Sequence, residues 1–196
     1  MKKIILISVF ILPAIFYGQQ FDSGRARGLF FSLAVGPRIP ISDFSNSHTI
    51  GAGVNASVSY TDNEYLPLFF YARIGFEHYP GSISFYQHTD YSSIATNNIP
   101  MNIGIKLFFP PVVKDIVLLI PTVELGGLFS IYERSHQFEI GSGRNNYIEQ
   151  ASKFGFQVGA GFSMFLLEVM TYYNYAFGNQ NIAVDLKVRI PVFIKF

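Results

Sequence analysis

The chain has 196 residues, 49% hydrophobic and 17% aromatic, with 14% charged residues, no Cys, no Trp and a formal net charge of +1. That composition supplies ample apolar surface for one folded domain and excludes intrinsic disorder. Without Cys there is no disulfide scaffold or thiolate metal site, and without a long basic run there is no electrostatic footprint for nucleic acid.

The first element is a targeting segment. Met1-Lys2-Lys3 precedes an apolar run from Ile4 to Tyr17 and then Gly18-Gln19-Gln20. A basic start, an apolar middle and a small residue before a polar exit describe a secretory signal peptide. The run contains Pro13 and falls short of the about 20 residues that a spanning helix needs. The expected organisation is a signal peptide at 1–18, a periplasmic segment at 19–28 and one domain at 29–196. Cleavage after Gly18 would remove Lys2 and Lys3, taking the net charge from +1 to −1.

Beyond Gln20 the pattern has a period of two, which places alternate side chains on opposite faces of a strand. Leu29, Phe31, Leu33 and Val35 alternate with Ser32, Ala34 and Gly36. Ala52 to Tyr60 alternates with Gly51, Gly53, Asn55, Ser57 and Ser59, and Leu68 to Phe76 with Phe69, Tyr71, Arg73, Gly75 and Glu77. The same alternation runs through Ile99–Leu107, Thr122–Ile131, Phe154–Ser163, Leu167–Tyr175 and Val184–Lys195. This predicts about eight strands of roughly 9–13 residues, near the length of a tilted strand that crosses hydrocarbon. Long polar connections at Arg38–Ile50, Pro80–Asn98 and Glu133–Lys153 alternate with short ones at Thr61–Leu66, Pro110–Ile116 and Met164–Phe165. Ala176–Ile182 completes the long-loop rim. The predicted fold is all-β, an eight-stranded antiparallel up-and-down barrel.

Period two suits both a soluble barrel and a membrane one. The polar face decides, because it is crowded with Gly51, Gly53, Gly75, Gly104, Gly126, Gly155, Gly159 and Gly161. A narrow interior shared with Phe69, Tyr71 and Tyr172 needs small residues, whereas a surface facing water does not. The apolar face carries no charge at its strand centres, as hydrocarbon requires. Tyr60, Tyr79, Tyr173, Tyr175, Phe193 and Phe196 sit near strand ends, where aromatic belts lie.

The signal peptide, the Gly-rich alternating strands and the end Arg189-Ile190-Pro191-Val192-Phe193-Ile194-Lys195-Phe196 resemble the small outer-membrane β-barrel proteins of the OmpA/OmpX type. The resemblance implies a Gram-negative outer membrane as location, outer-membrane lipid as surroundings and contact with the barrel-assembly machinery during insertion. It also implies that Phe196 is the terminal aromatic residue that closes the last strand and signals assembly.

Parity places Arg73, Lys106, Lys187 and Arg189 inside the barrel with Glu77, Glu124, Glu168 and Asp185, four of each sign. Buried charges persist only when paired, so these eight are expected to form a salt-bridged lumen network, with Glu168 near Arg189 across the last hairpin. Such a plug predicts no porin-like conductance, and a narrow pore is the alternative. Tyr172–Tyr175 reads as a girdle segment rather than a carbohydrate platform, and Gly159-Ala160-Gly161 lies in a strand without the helix of a phosphate loop.

His48, His78, His88 and His136 all fall in or beside the long loops, but no spacing brings them to a nucleophile or a shared metal. The expectation is therefore no catalytic, cofactor-binding or metal residue. The chain reads as a non-enzymatic barrel acting through exposed loops in envelope structure, adhesion or binding of an extracellular or envelope protein. The competing readings are a lipid A-modifying barrel enzyme with His78 or His136 as base, and an accessory subunit of an envelope or secretion complex.

Overall fold

A computed structural model describes residues 27–62, 64–112 and 118–195. Eight strands run in chain order: β1 (Arg27–Ile41), β2 (Gly51–Thr61), β3 (Leu68–Pro80), β4 (Tyr91–Phe108), β5 (Ile120–Phe138), β6 (Tyr147–Met164), β7 (Leu167–Ala176) and β8 (Gln180–Lys195). Each pairs antiparallel with its neighbour, and β1 pairs with β8 to close the barrel. Closure removes both free edges of the sheet over the height that all strands share.

The alternation anticipated from sequence becomes an inside and an outside. Ile103 is 72% exposed and Val35 55%, whereas Glu124 and Glu168 are each 1% exposed. Water would reward the opposite arrangement. Apolar residues outside and charges inside mark a barrel whose outer wall meets lipid. Among the described residues no helix is long and apolar enough to cross a membrane. Interior glycines set how closely the wall and its contents approach. A Cβ on Gly53 would lie 2.6 Å from Arg38 Nε, and one on Gly36 would overlap the Val184 carbonyl oxygen.

The long connections are shorter than the sequence suggested. β1 continues to Ile41, β4 starts at Tyr91 rather than Ile99, and β5 and β6 reach Phe138 and Tyr147. Polar residues that look like loop are strand, because their alternation is polar on both faces once they leave the hydrocarbon. Two short helices were also not anticipated: α1 (Asp43–Ser47) and α2 (Ile83–Gln87). Tyr79, expected in an aromatic belt, instead points inward and is fully buried, because it shares inward parity with Glu77.

The strands differ in height: β4, β5 and β6 have 18, 19 and 18 residues against 10 in β7. β6 pairs with β5 from Tyr147 onward but with β7 only from Gly155. Tyr147–Phe154 therefore stands above the closed part of the barrel as one side of a hairpin.

Candidate functional site

The lumen is built in layers. At the short-turn end, Phe30, Phe69 and Phe108 converge, with Phe69 4.9 Å from Phe108 and 5.8 Å from Phe30 between ring centroids. The Arg189 guanidinium lies between Phe30 and Phe108, 5.1 and 4.9 Å from their centroids, where cation–π attraction steadies it.

Above them is a charge cluster assembled from five strands. Lys106 Nζ lies 2.5 Å from Glu168 Oε2 and 3.3 Å from Glu124 Oε1, and Lys187 Nζ lies 3.0 Å from Glu124 Oε1. Arg73 pairs with the other oxygen of Glu124 and also donates to Gln157 Oε1 at 2.8 Å. Tyr172 Oη accepts from Arg73 and Lys187, each at 3.0 Å. Arg189 reaches Glu168 Oε1 at 3.1 Å, the neighbourhood expected across the last hairpin. One carboxylate, Glu124, thus serves three cations.

The next layer is a triad. Arg38 donates to Glu77 at 2.7 Å and to Asp185 at 2.6 Å. Tyr79 and Asn98 also donate to Glu77, at 2.9 and 2.8 Å, and Asn55 donates to Asp185 at 2.8 Å. The eight residues anticipated from parity all lie in the lumen, divided between these two groups. Arg38, at the start of the polar connection read from the sequence at Arg38–Ile50, lies within β1 instead. Its even parity with Ser32 and Ala34 was the signal that could have found it. With Arg38 these two groups together hold five cations against four carboxylates.

The long-loop end is covered by α1. Phe44 is 2% exposed and packs 4.9 Å from Tyr79 and 4.5 Å from the His48 ring. His48 Nδ1 meets Ser47 Oγ at 2.8 Å, and its Nε2 meets Thr96 Oγ1 at 2.7 Å. Arg134 Nε donates to that same Thr96 oxygen at 3.2 Å, and its Nη2 donates to Asn179 Oδ1 at 3.1 Å. Burial first, and then the neighbouring Arg134 charge, lower the His48 pKa to about 4, so the ring is neutral at physiological pH.

The remaining histidines separate. His136 Nδ1 meets Tyr91 Oη and its Nε2 meets Glu149 Oε2, both at 3.1 Å, while its ring stacks on Tyr147 at 4.3 Å. His78 contacts Asn97, and His88 bonds the Ser84 carbonyl within α2 and its cap. Among the described residues no group of three His, Cys, Asp or Glu side chains could hold a metal. Phe196 and the 1–18 segment lie outside the described residues.

The two raised strand ends are finished differently. Beyond the reach of β3, the β4 edge is covered by α2. Tyr86 Oη accepts from Ile94 N at 3.1 Å and donates to Ile94 O at 3.0 Å, replacing a strand partner. Along β6, Lys153 Nζ donates to the Phe177 carbonyl at 2.8 Å, which covers only the base of the raised segment. Tyr147–Gln150 is solvent-exposed throughout.

Neither a family model nor a curated protein matches the sequence. Among solved structures, Neisserial surface protein A (NspA) is 15% identical, with a TM-score of 0.52 over 87% of this chain and 99% of its own. Ail of Yersinia pestis, solved with the heparin analogue sucrose octasulfate, is 11% identical over 85% of this chain and 99% of its own, with a TM-score of 0.48. The N-terminal β-barrel domain of Pseudomonas aeruginosa OprF is 13% identical over 85% and 98%, with a TM-score of 0.46. The superposition on NspA and the lipid-facing wall agree: this chain has the fold of the small eight-stranded outer-membrane barrels.

Proposed function

We propose that the protein is a non-conducting, non-enzymatic barrel that binds an extracellular or envelope protein through the raised edge of β6. The observation that carries this reading is the contrast between the two ends of the raised wall. Tyr86 and α2 occupy the edge of β4, whereas Tyr147–Gln150 presents a strand edge that pairs with no other strand among the described residues. An unpaired edge is a template for strand addition, in which main-chain hydrogen bonds supply affinity and alternate side chains supply selectivity. Tyr147 and Glu149 would contribute the inward-facing side chains, and Ile148 and Gln150 the outward ones.

The hairpin can be shortened by joining Ile131 to Ser152, which face each other in register, through a two-residue turn. Cells displaying the wild-type barrel are expected to bind partner cells or proteins that cells displaying the shortened barrel do not. Equal binding by two equally folded forms would overturn the reading.

The layers described above support a closed lumen, since an eight-stranded interior is only wide enough for side chains to fill it. Purified protein in planar bilayers should give no stable ohmic conductance. Reproducible channels whose ion selectivity shifts in Glu124→Gln would show a narrow pore instead.

The lipid-modifying reading has one observation in its favour, the approach of Glu149 and Tyr91 to His136. A carboxylate on one ring nitrogen and a hydroxyl on the other is an arrangement that could orient a base, so the lipid chemistry decides this reading. Mass spectra of lipid A from expressing and non-expressing cells should coincide, and a changed acylation pattern that His136→Ala abolishes would establish an enzyme.

A further inference from the structure

Between the Arg38 triad and the Glu124 cluster the lumen is not filled. A cavity remains there with about 20 Å³ available to the centre of a water molecule, bordered by residues of both groups, Arg38 and Asp185 from one and Arg73 and Tyr172 from the other. Three polar atoms belonging to its lining residues have no hydrogen-bond partner among the described residues: Arg73 Nε, Asn102 Nδ2 and Asn55 Oδ1. Their residues are 7%, 4% and 7% exposed. Leaving such atoms unpaired costs the full desolvation of each.

The chemistry of the three atoms selects the occupant. Two are donors and one is an acceptor, and Asn55 is held in that orientation because its Nδ2 donates to Asp185 at 2.8 Å. A water molecule accepts from two groups and donates to a third. An anion would meet the Asn55 oxygen, and a cation would meet two N–H groups. The lining carries charges of both signs, Arg38 and Arg73 with Glu77 and Asp185, which gives an ion no net attraction. Rotating the Asn102 amide would exchange a donor for an acceptor, and water satisfies that arrangement equally well. The volume is also suitable, since a water needs about 10–15 Å³ by this measure.

We propose that the cavity binds one structural water, which links the Arg38 triad to the Glu124 cluster through Asn55, Arg73 and Asn102. The upper triad holds one cation with two carboxylates, and the lower cluster holds four cations with two. The water therefore sits where the net charge changes sign. Its dipole aligns with that change, oxygen toward Arg73 and a hydrogen toward Asn55.

The test is a crystal structure of the full mature chain in detergent, at a resolution that shows ordered water, with a second crystal soaked in bromide. One density peak within hydrogen-bond distance of Arg73 Nε, the Asn102 amide and Asn55 Oδ1, without anomalous signal from bromide, is the expected result. Flat density at that place in a map showing other lumen waters would overturn the proposal, as would a bromide peak or a side chain bonded to Arg73 Nε. Asn102→Leu should fill the space and abolish the peak, whereas Asn102→Ser should retain it. A peak that survives N102L unchanged in a folded barrel would also overturn it.

Discussion

The lumen and the raised β4–β6 wall are made from the same strands, yet they solve opposite problems. In the lumen every charge must find a partner within the barrel, because bulk water cannot reach it and lipid cannot solvate it. The wall stands in water, so its polar groups can remain exposed and its edges can stay open. At the Arg38–Glu77 level hydrogen bonds join side chains from five strands, while Tyr147–Gln150 has β5 alone as its neighbour among the described residues. Depth relative to the membrane, more than residue type, decides whether a charge is structural or available.

The sharpest way to break this comparison is to remove a carboxylate from the lumen. Glu124→Ala leaves Arg73, Lys106 and Lys187 short of a partner. The folded barrel should lose about 3–5 kcal/mol, read from the urea midpoint and from heat-modifiable migration in detergent. A loss no larger than that of an exposed charge would show that the lumen is hydrated and that its pairs carry little.

His48 tests the boundary between the two regions. Its folded pKa of about 4 lies below the ordinary 6.5, so only the opened state takes up a proton readily between those values. The closed position of α1 should be fully stable above pH 6.5 and lose stability as pH falls toward 4. The loss should approach about 1.4 kcal/mol per pH unit at its steepest. Hydrogen exchange of α1, corrected for intrinsic rates, should reveal faster opening at pH 5 than at pH 7, and His48→Gln should remove that dependence.

A smaller effect is expected where the wall is covered. Tyr86→Phe removes both hydrogen bonds to Ile94 and leaves that edge as open as its counterpart on β6. The cost should be about 0.5–1.5 kcal/mol, confined to faster exchange at Ile94, with the barrel itself intact. Glu149→Gln should change least. Glu149 is 47% exposed where it contacts Arg134 and His136, so the urea midpoint should move by less than about 1 kcal/mol equivalent.

Much of this was legible in the sequence for a simple reason. A strand's side chains alternate strictly, so a lipid-facing wall and a polar interior print themselves on the chain with period two. Inward parity placed Arg73, Lys106, Glu124 and Glu168 on one face because each is separated from its like neighbours by an even number of residues. That same rule failed where both faces are polar. At 91–98 and 147–153 the alternation has no apolar partner to make it visible, and strand looked like loop. The histidines show a second limit, since His136 meets Glu149 only because the β5–β6 register brings them together.

By itself, then, the sequence determined the export segment to expect, the number of strands and the side each residue faces, all of which depend on local periodicity. Tertiary structure alone decided how high each strand rises, which cations share Glu124, that Arg38 belongs to the lumen and that α1 turns inward over it. Those features depend on register and on barrel closure, which bring residues as distant as Arg38 and Asp185 to 2.6 Å. Closure is a property of the whole ring, and no window of sequence contains it.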